Sequence, residues 1–260
     1  MNRNVDIGDG VPMPLLGLGT WQARGRAAYD AVGRALELGY RHLDTATVYE
    51  NEERVGRAIA DSGVPREDVF VTTKLPPSRA GEERATLEES LAKLGLDHVD
   101  LWLIHWPPGG KARPDVWTRM IDLHEEGLAR QIGVSNYDVA QLDELEAETG
   151  RMPAVNQVEW SPPLHDEAVL EAHRSRGVQL EGYSPLRTTN LDDRRLREIA
   201  AAYGVTPAQV VIRWHLEHGI VVIPKSTDAA RIAENADVFD FELTRDEVAE
   251  LDGLRRARRD

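Results

Sequence analysis

Four side chains that could together move a proton to or from an oxygen stand where short apolar stretches of the chain end. Asp44 ends the segment GYRHLD, and Tyr49 lies in the turn that follows it. Lys74 comes directly after VFVTT, and His105 comes directly after VDLWLI. An ammonium next to a phenol favours the ionised phenol, and a carboxylate keeps the ammonium charged, so this combination suits general acid–base chemistry.

These four residues can meet only if the segments before them are neighbouring strands with a common direction. Short apolar stretches alternate with amphipathic ones along the chain and predict strands at residues 15–18, 41–43, 69–73, 99–104, 131–134, 154–158, 178–181 and 220–223. Helices are predicted between them, for example at residues 26–38, 52–61 and 166–176. Eight alternating units favour a closed parallel barrel, in which the carboxyl ends of all strands open on one face.

The predicted fold class is therefore α/β, a (β/α)8 TIM barrel, with residues 1–260 forming a single domain. An N-terminal hairpin is expected at residues 5–13, turning at Gly8-Asp9-Gly10, and should cover the amino-terminal mouth of the barrel. Capping-box spacings at Asp138, Thr206 and Thr244 predict helix starts, and the last of them begins an extra C-terminal helix.

Composition limits the classes of partner. The chain has 260 residues and no cysteine, which rules out disulfides and thiolate chemistry. Its formal net charge of −14 argues against nucleic acid or an anionic membrane as a partner. No apolar run reaches the roughly 18 residues that span a bilayer, and no secretory signal is visible. We expect a cytoplasmic monomer that acts on a small molecule, and we assign the basic tail RRARRD to a solvated helix end.

The segment GYRHLDTATVYENE resembles the signature of the aldo-keto reductase family, and similar segments run from residue 15 to residue 254. The resemblance is to the bacterial 2,5-diketo-D-gluconate reductase-like branch. It implies an NADP-dependent oxidoreductase that reduces aldehydes, ketones or keto-sugars to alcohols by hydride transfer from NADPH. It also implies that Tyr49 is the general acid, with Asp44, Lys74 and His105 as the other catalytic residues.

The resemblance also implies a cofactor site. The segment IPKS followed by RIAEN stands where a helix begins, and a helix N-terminus with nearby cations suits a 2′-phosphate. By the family pattern, Glu234 and Asn235 reach the adenine, and residues at the ends of strands five to seven hold the nicotinamide. The full set of cofactor contacts is Gly19, Thr20, Trp21, Ser135, Asn136, Gln157, Tyr183, Ser184, Leu186, Arg187, Pro224, Lys225, Ser226, Thr227, Arg231, Glu234 and Asn235. No G-x-G-x-x-G stands between a strand and a helix, so the site is not of the Rossmann type.

The substrate is expected above the nicotinamide, in a pocket lined by Trp21, Tyr49, His105 and Trp106. The chain departs from many relatives at Ser161, where they have a histidine, and at Arg187, where they have a glycine. Arg187 could bind the cofactor pyrophosphate or point into solvent. Short surrounding loops predict an open and permissive site.

Each of these residues also has an ordinary structural interpretation, since a strand-end lysine is usually solvated and a turn tyrosine usually packs. The sequence leaves two other functions open. His42-x-Asp44 has the spacing of two metal ligands on one strand face, but no second cluster accompanies it, so no metal site is predicted. The other alternative is a cofactor-binding regulatory module with little turnover.

Overall fold

Eight short parallel strands form the centre of the fold in a computed structural model, which describes residues 3–254. The tail assigned to a helix end therefore lies outside the described residues from residue 255 onward. The strands of the barrel are β3 (Leu18–Gly19), β4 (His42–Asp44), β5 (Phe70–Leu75), β6 (Val99–Ile104), β7 (Ala129–Ser135), β8 (Val155–Glu159), β9 (Gln179–Tyr183) and β10 (Val221–Val222).

These strands pair in chain order from β3 to β10, every pair parallel. Bridges from Leu16 to Val222 and from Gly19 to Lys225 join the first strand region to the last. The sheet is thus closed on itself, and the predicted (β/α)8 barrel is confirmed.

Helices connect consecutive strands and cover the outside of the barrel. Their bounds are α1 (Gly25–Glu37), α2 (Glu52–Asp61), α3 (Glu83–Leu94), α4 (Pro114–Glu125), α5 (Val139–Thr149), α6 (Glu167–Arg174), α7 (Arg194–Tyr203), α8 (Pro207–Glu217), α9 (Ala229–Ala236) and α10 (Arg245–Asp252). The capping boxes predicted at Asp138, Thr206 and Thr244 are all formed, which confirms these three helix starts.

The N-terminal hairpin closes one end of the barrel, as predicted. Its strands are β1 (Asn4–Asp6) and β2 (Pro12–Pro14), paired antiparallel. Ile7, Val11 and Met13 are buried, and Asp9 accepts a hydrogen bond of 2.9 Å from Gln131 in β7. The opposite end, where the strands finish, stays available for a ligand.

Two predicted strands end two residues later than the sequence indicated. β5 continues past Thr73 to Leu75, so Lys74 lies inside the strand, and β9 continues past Glu181 to Tyr183. The prediction stopped both strands at the first charged residue. In the fold, however, Lys74 and Glu181 point into the buried interior and are fully inaccessible.

Glycines in the first strand region are required by barrel closure. A Cβ at Gly17 would lie 2.6 Å from His42, and one at Gly19 would lie 2.8 Å from the carbonyl oxygen of Ile223. The close approach at both glycines is therefore made by other parts of the barrel, and Gly19 also lines the cavity described below.

The contact between α2 and α3 depends on Gly56. A Cβ at this position would lie 2.0 Å from the carbonyl oxygen of Leu94, at the end of α3. We therefore expect Gly56→Ala to lower the free energy of unfolding by roughly 1–3 kcal/mol, because the two helices must separate to admit the methyl group. Urea unfolding followed by circular dichroism measures the change.

The matched control is Gly33→Ala in α1, where an added Cβ has no neighbour within 4 Å. There the exchange should leave stability unchanged or raise it by up to ~1 kcal/mol, since alanine favours helix over glycine. Equal effects of the two substitutions would contradict the proposed close packing of α2 on α3.

Candidate active site

A buried ion pair lies at the carboxyl end of the first strands. Asp44 ends β4 and Lys74 lies in the neighbouring strand β5. The Lys74 Nζ atom is 2.7 Å from each Asp44 carboxylate oxygen and 2.8 Å from the carbonyl oxygen of Thr45, so all three of its protons have acceptors. Gln157 in β8 donates a further hydrogen bond of 2.8 Å to Asp44.

The ion pair keeps the lysine charged although it is out of contact with water. Burial by itself lowers the pKa of Lys74, but the charge of Asp44, together with Tyr49, outweighs burial, and the net shift of this pKa is upward. The site therefore holds a permanent ammonium at neutral pH.

Tyr49 and His105 lie beside this ammonium. Tyr49 ends the single 3₁₀ turn Thr47–Tyr49 after β4, and His105 is the first residue after β6. Their ring centroids are 5.7 Å apart in an edge-to-face arrangement, and the Lys74 Nζ atom is 5.3 Å from the centroid of the Tyr49 ring. The fold thus brings together the four side chains singled out in the sequence.

Burial leaves both rings electrically neutral. It raises the pKa of the Tyr49 phenol by more than the Lys74 ammonium lowers it. Burial also lowers the pKa of His105 to about 3, assisted by the charge of Lys74. The lowering effect of Lys74 on the Tyr49 pKa, expected from the sequence, is present, but desolvation of the phenolate outweighs it. A neutral phenol and a neutral imidazole can each donate a hydrogen bond to one oxygen.

A cavity of about 460 Å³ opens above these rings. Asp44, Tyr49 and His105 contribute to its wall, whereas Lys74 lies beneath it. Trp21 and Trp106, both predicted substrate contacts, also line it and are 46% and 50% exposed. Large exposed aromatic side chains at a polar cavity are typical of a ligand site.

A polar network covers another wall of this cavity, at the ends of β7, β8 and β9. Asn136 donates hydrogen bonds to the His105 carbonyl oxygen and to Ser135 Oγ, and accepts one of 2.9 Å from the Tyr183 hydroxyl group. Ser135 donates to the carbonyl oxygen of Gln157. All four predicted nicotinamide contacts, including Gln157, line the cavity.

Backbone strain accompanies this network. Asn136 has φ = 63° and Ser184 has φ = 55°, both in the left-handed region that non-glycine residues rarely adopt. Both residues line the cavity immediately after a strand. Such strain persists where the surrounding contacts fix it, and it is frequent at functional sites.

The predicted anion site lies between β10 and α9, and it differs in one respect from the sequence interpretation. Asp228, the N-cap of α9, accepts hydrogen bonds from the backbone N–H groups of Ala230 and Arg231. These two groups are therefore not free for a phosphate, as the sequence interpretation had assumed. The donors left for an anion are side chains, above all the exposed cations Lys225 and Arg231.

Not every predicted cofactor contact lines the cavity. The predicted residues that do so are Gly19, Trp21, Ser135, Asn136, Gln157, Tyr183, Ser184, Arg187 and Lys225. Thr20 is buried and donates to the Asp44 carbonyl oxygen, and Glu234 accepts a hydrogen bond of 2.7 Å from Thr206. Outside the lining lie Thr20, Leu186, Pro224, Ser226, Thr227, Arg231, Glu234 and Asn235.

The cavity also includes residues that sequence reasoning missed, namely Gln22, Arg24, Val48 and Ile223. Arg24 and Gln22 directly follow the predicted contact Trp21, so extending that segment by three residues would have found them. Arg24, Arg187 and Lys225 are exposed, and within residues 3–254 none of them has an ion-pair partner. The cavity is thus bordered by three cations that are not neutralised by the described protein.

A second cavity and a cluster of histidine and aspartate side chains lie elsewhere in the molecule and share none of the four residues Asp44, Tyr49, Lys74 and His105. A larger cavity of about 780 Å³ lies at the hairpin end of the barrel, and none of the four residues Asp44, Tyr49, Lys74 and His105 lines it. His165, His218 and Asp252 are close enough to share a metal ion, but Asp252 already accepts hydrogen bonds from Trp214 and His218. Those bonds fasten α10 to α8.

The departure at Ser161 also has a structural role. Its hydroxyl group is buried and lies 2.6 Å from that of Thr188, which connects the loop after β8 to the loop after β9.

No helix within residues 3–254 has the length and apolar character that crossing a membrane requires.

Comparison with known proteins identifies the family. The model of the aldo/keto reductase family matches residues 15–256. Methylglyoxal reductase DkgA of Escherichia coli (strain K12) is 44% identical over 259 residues, which cover 98% of this chain and 94% of that protein. 2,5-diketo-D-gluconic acid reductase B of a Corynebacterium species is 46% identical over 259 residues, covering 98% and 94%.

A solved structure supports the same assignment. The crystal structure of an aldo-keto reductase of Bombyx mori in complex with NADP is 36% identical, covers 96% of this chain and 91% of its own, and has a TM-score of 0.89. These relatives are reductases, and nothing in them supports the regulatory alternative. The chain belongs to the aldo/keto reductase family and is an NADP-dependent oxidoreductase of carbonyl compounds.

Proposed function

We propose that this protein reduces small aldehydes, ketones or keto-sugars to alcohols and that Tyr49 is the general acid. The observation that carries the proposal is the buried Asp44–Lys74 pair beneath two neutral hydrogen-bond donors at the floor of a cavity. A carbonyl oxygen placed between Tyr49 and His105 would accept a hydrogen bond from each. Its developing negative charge would lie close to the ammonium of Lys74.

Each residue has a separate task in this scheme. His105 orients the carbonyl group through a hydrogen bond, and Tyr49 donates its proton to the oxygen as the carbonyl carbon is reduced. Lys74 stabilises the resulting phenolate, and Asp44 keeps Lys74 charged and in place. Gln157 fixes the orientation of Asp44.

NADPH would supply the hydride, and the residues around the cavity fit this cofactor. Ser135, Asn136 and Gln157 offer amide and hydroxyl groups to a carboxamide, and Tyr183 offers a flat ring for stacking. Lys225, Ser226, Thr227 and Arg231 would hold the 2′-phosphate, while Glu234 and Asn235 would lie near the adenine. The exposed cation Arg187 is assigned to the pyrophosphate, because it lines the cavity and has no ion-pair partner within residues 3–254.

The substrate class follows from the shape of the cavity and from the relatives. Trp21, Tyr49, His105 and Trp106 would surround a small molecule at the open end, where both tryptophan rings are half exposed. Relatives named for methylglyoxal and 2,5-diketo-D-gluconic acid act on small polar dicarbonyl compounds. We extend that substrate class to this chain. We also propose that residues 1–260 form a single barrel domain and that the protein is a cytoplasmic monomer.

The assay of the proposed function measures loss of reduced-nicotinamide absorbance with a panel of aldehydes, ketones and keto-sugars. We expect turnover with small dicarbonyl compounds and a preference for NADPH over NADH. Tyr49→Phe should lower kcat by at least about 100-fold because it removes the proton donor, whereas NADPH binding should stay near the wild-type value.

The matched control for the tyrosine exchange is Tyr29→Phe, which removes a surface hydroxyl group bonded to Asp61 and should leave kcat unchanged. Activity retained in Tyr49→Phe would exclude Tyr49 as the acid. Tight NADPH binding without turnover of any compound would instead favour the regulatory alternative.

Lys225→Ala and Arg231→Ala test the assignment of the 2′-phosphate. Each should weaken NADPH binding by roughly 10- to 100-fold, the value expected for loss of one charge-assisted hydrogen bond, while NADH binding changes little. Quenching of protein fluorescence by each nucleotide provides both dissociation constants.

Lys93→Ala is the control for charge alone, since Lys93 is an exposed lysine of α3 that pairs with Glu89. It should leave both dissociation constants unchanged. If Lys225→Ala and Arg231→Ala weaken NADPH and NADH equally, the 2′-phosphate is bound elsewhere.

A further inference from the structure

One buried acidic residue close to the active site has no role in the scheme above. Glu181 lies in the middle of β9, paired in register with Gln157 on one side and Val221 on the other. Its side chain has no exposed surface, and within residues 3–254 neither carboxyl oxygen has a hydrogen-bond partner. An ionised carboxylate in such a place would be very costly without a counter-ion.

None of the neighbouring groups supplies that counter-ion. The closest is His42 in β4, with its Nε2 atom 3.7 Å from a Glu181 oxygen. Burial, together with the charge of Lys74, lowers the pKa of His42 to about 3, so this imidazole is neutral. The three protons of Lys74 are bonded to Asp44 and Thr45, so Lys74 makes no direct contact with Glu181 and its charge acts on this carboxyl group only through space.

The other ionisable groups around β9 supply no positive charge to Glu181 either. Asp44 adds a second negative charge to the same interior. From the outer side, His215 of α8 lies against Gly182, but burial lowers its pKa to about 4, so it is also neutral. Glu159, at the end of β8, acts on Tyr183 and adds no positive charge.

Glu181 therefore keeps a proton at neutral pH. Burial, followed by the charge of Asp44, raises the pKa of its carboxyl group from 4.5 to about 8, and the amide group of Gln157 and the charge of Lys74 offset only part of this shift. In the protonated form the group is neutral, and one of its oxygens lies 3.7 Å from Nε2 of the neutral His42, which is itself 3.2 Å from the Thr72 hydroxyl group. The Asp44–Lys74 pair then constitutes the only charges of this interior among the described residues.

We propose that Glu181 is a positioning residue that acts through the Asp44–Lys74 pair and sets the acidity of Tyr49. While Glu181 is protonated, the full effect of Lys74 is available to the Tyr49 phenolate. Glu181 is paired in register with Gln157, which donates a hydrogen bond of 2.8 Å to Asp44, so the carboxyl group is one residue away from the ion pair. When Glu181 loses its proton, its negative charge opposes the effect of Lys74 on the phenolate and makes Tyr49 a weaker acid. This inference rests on the proposed role of Tyr49 in carbonyl reduction.

The two directions of the reaction should respond differently. Carbonyl reduction uses the protonated phenol, which an ionised Glu181 preserves to higher pH. Alcohol oxidation needs the Tyr49 phenolate, which an ionised Glu181 disfavours. Glu181 would thus bias the enzyme towards reduction under alkaline conditions.

Glu181→Gln, which keeps the size of the side chain but cannot ionise, tests the inference through pH profiles of kcat in both directions. We expect reduction at neutral pH to stay within about 3-fold of wild type, and the rising limb of alcohol oxidation to move to lower pH. The shift should be on the order of one pH unit, as for removal of one like charge from a partly buried site. The matched control is Glu159→Gln at the neighbouring strand end, which should leave the limb in place.

A purely structural role of Glu181 would give a different result. It would lower kcat by the same factor at every pH without moving the limb. That outcome, or an equal movement of the limb in Glu159→Gln, would overturn the proposal.

A second measurement requires no turnover, so it separates failure of this inference from failure of the proposed function. Infrared difference spectra of wild type against Glu181→Gln should show the carbonyl band of a protonated carboxylic acid at neutral pH, and the band should disappear as pH rises through about 8. Absence of this band at neutral pH would overturn the proposal even in an active enzyme.

If Glu181→Gln does not fold, Glu181→Asp provides a second variant that retains an ionisable group. Its band should persist at neutral pH, and its oxidation limb should stay near the wild-type position.

Thermal unfolding adds an independent check with a definite sign. The wild type should lose stability as pH rises from 4.5 through about 8, because the unfolded state releases the Glu181 proton near pH 4.5 while the native state still holds it. A variant without the carboxyl group should not show this loss.

Discussion

The buried contact between Asp44 and Lys74 is the constraint on which the rest of the site depends. Removing two ions from water costs on the order of several kcal/mol each, and only close geometry and additional hydrogen bonds offset it. Here the ammonium makes three short contacts, and the carboxylate receives a further one from Gln157 on the other side of the barrel. The pair therefore links β4, β5 and β8 at a defined register, and it places a permanent positive charge beneath the cavity.

Burial shifts the pKa values of the groups around this charge in opposite directions, and each shift favours the neutral form of its group. It raises the pKa of Tyr49 and lowers that of His105, so both rings remain neutral hydrogen-bond donors. The same desolvation keeps a proton on Glu181 and takes one from His42. Charge is thus confined to one pair, and every other titratable group nearby adopts its uncharged form. Such an arrangement leaves the ammonium available to a negative charge that develops on a bound oxygen.

The residues that would recognise a ligand lie apart from the acid–base groups. The rim of the cavity carries exposed tryptophan rings and the cations Arg24, Arg187 and Lys225, whereas the floor carries the acid–base groups. Within residues 3–254 these three cations have no ion-pair partner, and an overall charge of −14 makes such a local group more informative, because the rest of the surface does not favour anions. The strained residues Asn136 and Ser184 stand between the two regions and hold polar groups towards the cavity.

The sequence by itself determined the barrel, because alternating apolar stretches and helix caps are local signals. It also determined the four acid–base residues, because each stands at or near the end of an apolar stretch in a recognisable motif. It also indicated the cations of the anion site. Only the tertiary structure decided the protonation states, since desolvation of Tyr49, His105 and Glu181 depends on residues distant in the chain. The ends of β5 and β9, near Lys74 and Glu181, were misjudged for the same reason. Whether a charged side chain ends a strand or is buried within it depends on partners across the barrel, such as Asp44 for Lys74.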